Sequence, residues 1–259
     1  MKSDLRKTIL LNIRNYAIAF ITIVLYLYLA IILQLTIKLD SITATAVSNL
    51  SLSAICLTLY FLLRKSEYSG FTSKIDLSPK TISLCIISMF FVTYILSILF
   101  AWFRLYVIDP GMVNRAENFE NINIGWYMLS GCIIAPIAEE TVMRLFLYNL
   151  LKSKSNWIVS MLITSFVFAV LHGTFAHTIL AMIFGIVMTL IYEFTGTWFM
   201  PIVCHMMYNI MTMFSGHVFS GLGQYTWLTV VLTVLLLSVI IGQIFAWDKR
   251  IKDSKGAKK

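Results

Sequence analysis

Residues 123–151 read NIGWYMLSGCIIAPIAEETVMRLFLYNLL, and the fold turns on how this stretch is read. It is about 29 residues long, or roughly 43 Å if wholly helical at 1.5 Å per residue, which is ample for one membrane span, even a tilted one. In its middle stand two adjacent carboxylates and a guanidinium, Glu139, Glu140 and Arg144. Charges at membrane depth are expensive, face a bundle interior or a wet cavity, and usually serve a function. Pro136 lies three residues before Glu139. A proline inside a span frees a backbone carbonyl and tends to kink the helix, so a break here would aim the carboxylates at a cavity.

The rest of the chain supplies the neighbours. Of 259 residues, 59% are hydrophobic and only 12% charged, with a mean hydropathy of +0.85, values that a soluble globular domain does not carry. Apolar runs of about 20 residues recur, which excludes a single buried core helix; the first is too long for a cleavable signal peptide. Read in order, the spans cover 16–37, 43–63, 81–106, the Glu-Glu span, 157–172, 178–194, 198–214 and 225–246. An interfacial helix over 1–15 precedes them. The expected fold is all-α, a polytopic membrane bundle of about eight transmembrane helices in a single domain, 1–259. A basic tail, 247–259, follows the last span.

Charge sets the orientation. Lys2, Arg6, Lys7 and Arg14 flank the start, Arg64, Lys65, Lys74 and Lys80 fill the second loop, Lys152 and Lys154 the fourth, and more lie in the tail. With eight spans these all fall on one side, so both termini are expected in the cytoplasm of a multi-pass plasma-membrane protein, with a bacterial source inferred from compact size. The net charge of +8 is then topology and contact with the lipid bilayer rather than nucleic-acid binding. Cys56, Cys85, Cys132 and Cys204 all fall in apolar runs with no close Cys-x-x-Cys pair, the pattern of buried packing residues.

Few side chains able to titrate or ligate remain at membrane depth: Glu139, Glu140 and Arg144, then His172, then His205 with Asn209. Spacing four along a helix stacks Glu140 over Arg144 and His205 over Asn209. Glu140 with Arg144 reads as a buried ion pair in a supporting role. Glu139, turned about 100° away, is left without a sequence-local partner, the situation of a general base. His172 is placed to hold a water, and His205 with Asn209 to donate to an oxyanion. The same His and Glu residues could equally hold zinc, although no H-E-x-x-H is present. His177 and His217 lack such company and read as loop histidines.

Glu139-Glu140-x-x-x-Arg144, Phe168-x-x-x-His172 and His205-x-x-x-Asn209, in that order on three spans within 123–214, resemble the CAAX-protease and bacteriocin-processing family of intramembrane glutamic endopeptidases. The resemblance implies catalytic roles for Glu139, His172, His205 and Asn209, support from Glu140 and Arg144, no cofactor or metal, and a membrane-associated peptide or protein as substrate. Peptide precursors, bacteriocin leaders and membrane signalling proteins fall in its range. Phe168 reads as packing. Two other readings stay open: a membrane regulator or bacteriocin-immunity protein acting by binding, and a zinc-dependent protease using the same residues. Counted along the spans, Glu139 lies about 20 Å from the cytoplasmic edge at Lys152, which leaves open the face to which the site opens.

Overall fold

A computed structural model describes residues 2–67, 75–102 and 123–218, with the further positions 231, 234, 235 and 238. These residues form helices and short connections, without strands. We number the helices α1 (Lys2–Ile37), α2 (Ser41–Glu67), α3 (Pro79–Trp102), α4 (124–152), α5 (Trp157–Val170), α6 (Phe175–Thr195) and α7 (Phe199–Val218). By length and apolarity Ser41–Leu63, Pro79–Leu99 and Phe175–Thr195 can each cross a membrane, and the bent pair in α1 makes a fourth. The eighth span, 225–246, falls almost wholly outside the described residues, as does the tail 247–259. Among the described residues there are seven helices, of which up to four qualify as spans by length and apolarity, and the count of eight extends beyond them.

The other departures have local causes. The segment 1–15 is not a separate interfacial helix; from Lys2 onward it is continuous with the first span. The bend lies later, 44° between Ile13–Tyr26 and Tyr28–Ile37. His177 and His217 lie in α6 and α7 rather than in loops. α5 is only 14 residues long, about 21 Å at 1.5 Å per residue, against a hydrocarbon layer of about 30 Å. It is therefore too short to cross such a layer by itself.

The helix starts are capped as their sequences dictate. Asp40 accepts from the amides of Thr43 (3.0 Å) and Ile42 (3.1 Å) at the head of α2. Hydrogen bonds from Thr43, then Ile42, hold its exposed carboxyl below the usual carboxylate range. Asn123 accepts from Trp126 at the head of α4, and the Trp126 indole donates to Thr43 Oγ1 at 3.1 Å, tying the two heads together. At the opposite end Glu193 of α6 pairs with Lys152 of α4 and accepts from the Tyr148 hydroxyl at 2.7 Å. There too Asn149 donates to the Tyr192 hydroxyl at 2.7 Å, and the Asp76 amide donates to the Thr195 carbonyl at 2.9 Å. Gly196, at φ 69°, ends α6 in the left-handed conformation that glycine adopts without penalty.

All seven helices contribute to one apolar cluster: Ala19, Leu52, Met89, Phe146, Phe168, Phe184 and Cys204 come one from each. All four cysteines are buried and free. Neighbours in space are α1 with α2, α5 with α6, α3 with α7, and α4 with α2, α5 and α7. α4 is thus surrounded, which is what its charges require.

Candidate active site

α4 does not break at Pro136. It stays helical through five segments, in which the wider π-register stretches Leu129–Ile134 and Thr141–Tyr148 alternate with α-helix. Each π-type turn shifts the helix face by absorbing an extra residue, and such turns gather at functional sites. Here the shift has a traceable effect. The Ala135 amide bonds Ser130 O, and Pro136 has no amide to offer, so the Gly131 carbonyl loses both possible donors within its own helix. Asn209 of α7 takes their place, its Nδ2 donating to Gly131 O at 2.8 Å. The proline therefore frees a carbonyl, as expected; the helix continues through it, and the freed carbonyl forms a tie between helices.

Below that tie sits a buried chain of charges. Arg144 Nη1 donates to Glu140 Oε1 at 3.1 Å, the spacing-four pair anticipated from sequence. Arg144 Nη2 reaches the Gly185 carbonyl of α6 at 3.0 Å, and the guanidinium lies 5.0 Å over the Phe168 ring. The same Glu140 oxygen accepts from His205 Nδ1 at 2.8 Å. With Nδ1 facing Glu140, His205 turns Nε2 toward Glu139 Oε2 at 3.7 Å. The two carboxylates share His205 after all, one at each ring nitrogen. They differ in surroundings: the Glu140 side chain is 0% exposed, whereas that of Glu139 is 15% exposed and has no direct bond to Arg144. At 3.7 Å the Glu139–His205 contact is longer than a direct hydrogen bond, the separation at which a small polar molecule can be shared.

His172 stands in the turn after the short α5. Its Nδ1 lies 2.8 Å from the Phe168 carbonyl, which can only accept, so Nδ1 carries a proton, and in the neutral form of the ring Nε2 presents a lone pair. Phe168 is the hub between the two histidines, its ring 4.6 Å from that of His172 and 6.0 Å from that of His205. Phe184 packs on His205 at 4.7 Å from the other side. Glu140, Arg144 and His205 are thus joined directly, Glu139 stands 3.7 Å from His205, Asn209 is anchored one step away on Gly131, and His172 is linked through Phe168. Among the described residues no three His, Cys, Asp or Glu side chains come close enough together to hold a metal ion.

Sequence reasoning missed two parts of this arrangement, Gly185 and the Gly131 carbonyl. A glycine in mid-span was the only available signal for the first. Nothing in residue type marks the second, because a backbone carbonyl becomes available only through the hydrogen-bond register.

Comparison with known proteins falls on this region. Residues 121–211 match the family model described as Type II CAAX prenyl endopeptidase Rce1-like. A Bacillus subtilis (strain 168) protein named "Putative membrane peptidase YdiL" is 31% identical over 77 residues, 30% of this chain and 32% of that protein. The chain thus matches about a third of the length of this curated relative. No solved structure matches. Residues 121–211, the segment that holds Glu139, Glu140, Arg144, His172, His205 and Asn209, are thus similar to the Rce1-like CAAX prenyl endopeptidase family.

Proposed function

We propose that this membrane protein is an intramembrane endopeptidase that hydrolyses a peptide bond with water activated by Glu139. The observation that carries the reading is the unequal treatment of two adjacent carboxylates. Glu140 is consumed by Arg144 and His205, while Glu139 keeps partial exposure and faces His205 Nε2 at 3.7 Å. A base needs a carboxylate that is not neutralised by a guanidinium and can be reached by water. Glu139 takes a proton from that water, and His172, with its lone pair at Nε2, holds the water against the scissile carbonyl.

Asn209 donates to the oxyanion that develops when the water adds, and His205 donates from Nε2, which requires a proton there as well as on the Nδ1 that faces Glu140. Asn209 spends one amide hydrogen on Gly131 O, and that bond orients the second hydrogen for the reaction. Each such donor is worth about 2.7–4 kcal/mol in comparable sites. Collapse of the tetrahedral intermediate breaks the C–N bond, and the proton held by Glu139 passes to the leaving amine. No covalent enzyme intermediate is needed. The proposed substrates are membrane-associated: a peptide precursor, a bacteriocin leader or a signalling protein, cut in a bacterial plasma membrane.

The test is a mass-spectrometric comparison of released and membrane-bound peptides from cells expressing wild type or Glu139→Gln at matched levels. A fragment present only with wild type is expected and names the substrate. Identical profiles would overturn the enzyme reading in favour of a binding role. Stoichiometric zinc in the purified protein, with activity lost to chelators, would overturn the metal-free mechanism.

A further inference from the structure

All the motif residues lie between 123 and 214, yet α1 also reaches the site. Its buried residues Asn15, Ala19 and Thr22 recur at the spacing of one helix face. The next position of that stripe is Tyr26, half-buried and packed against the central apolar cluster. α1 packs on Asn149–Lys152 at the end of α4, about 15–20 Å along that helix from Glu139. The stripe from Asn15 to Tyr26 spans a similar length, about 16 Å. Tyr26 accordingly comes level with Glu139, which puts its hydroxyl within electrostatic and hydrogen-bonding reach of the Glu139 carboxylate. Tyr26 is also the last residue before the 44° bend of α1, and neither proline nor glycine is present there to account for the bend.

The groups facing Glu139 are therefore Glu140 and Arg144 on its own helix, His205 from α7 and Tyr26 from α1. Of these, Arg144 is committed to Glu140 and Gly185, and His205 stands 3.7 Å off. A phenol donates a hydrogen bond without bringing a second charge, which suits a carboxylate that must stay available as a base. We propose that Tyr26 is a positioning residue: its hydroxyl donates to one oxygen of Glu139 and holds the rotamer in which the other oxygen meets water beside His205. The effect on rate rests on the protease reading above; the contact does not.

Tyr28, two residues on and exposed, provides a matched control on the same helix. In the purified full-length protein, the infrared band removed by Glu139→Gln identifies that carboxyl group. Tyr26→Phe should move this band and Tyr28→Phe should leave it in place. With the fragment identified by the peptide comparison as substrate, Tyr26→Phe should lower kcat about ten- to a hundredfold with KM nearly unchanged, the range expected for a hydrogen bond to a charged group. A band that does not move overturns the contact. A band that moves with kcat unchanged overturns the positioning role. If Glu139→Gln itself releases the same fragments as wild type, the protease reading falls and the positioning role falls with it, and a moved band then records a contact without that role.

Discussion

Arg144 is 1% exposed and serves Glu140, the Gly185 carbonyl and the face of Phe168 at once. Even so, Glu140 Oε2 and Arg144 Nε make no hydrogen bond among the described residues. A buried ion pair whose hydrogen bonds are this incompletely met is a poor source of stability, and apolar isosteres often equal or exceed such pairs. Its value lies in holding His205. Arg144→Met alone should cost about 3–5 kcal/mol, because it leaves Glu140 charged and buried. Adding Glu140→Leu should recover most of that loss in denaturation measurements in mild detergent. Activity should not return, since His205 Nδ1 has lost its acceptor. Recovery of both would show that the pair is structural only.

The interhelical ties allow two similar tests. A Cβ on Gly185 would stand 3.1 Å from Ser165 Cα and Cβ and 3.2 Å from its Oγ, so a larger residue at 185 would require α5 to give by a few tenths of an ångström. Gly185→Ala should destabilise by about 1–3 kcal/mol, the usual cost of overpacking, and weaken the Arg144 anchor on the Gly185 carbonyl. Ser165→Gly in the same chain removes the Cβ and Oγ contacts but not the one to Cα, so it should restore only part of the thermal midpoint. At the other tie, Asn209→Ala leaves the Gly131 carbonyl without a donor, at about 1–3 kcal/mol for an unmet buried polar group. Pro136→Ala supplies an amide at the position from which the π register can reach Gly131, so the double variant should regain stability. Its peptide release should remain lost if Asn209 also serves the oxyanion. Recovered release would confine Asn209 to a structural role.

Across the whole molecule, the two ends of the bundle are distinguished by charge. The Asp40–Thr43–Trp126 chain marks one end, and Lys152 with Glu193 marks the other. Reporter fusions after Lys154 and after Lys259 should both report the cytoplasm, and a fusion after Ile37 the opposite side; a split between the first two would refute the even count of spans. The membrane class, the runs 43–63 and 178–194, which lie within the helical spans Ser41–Leu63 and Phe175–Thr195, and the Glu140–Arg144 pair were all legible in the sequence, because they depend on apolar length and on spacing within one helix. The joins between helices were not: His205 to Glu140 across 65 residues, Arg144 to Gly185 across 41, Asn209 to Gly131 across 78. Each depends on how far a helix is rotated and shifted against its neighbour, and two of the three end on backbone carbonyls, whose availability is set by packing and hydrogen-bond register and not by residue type.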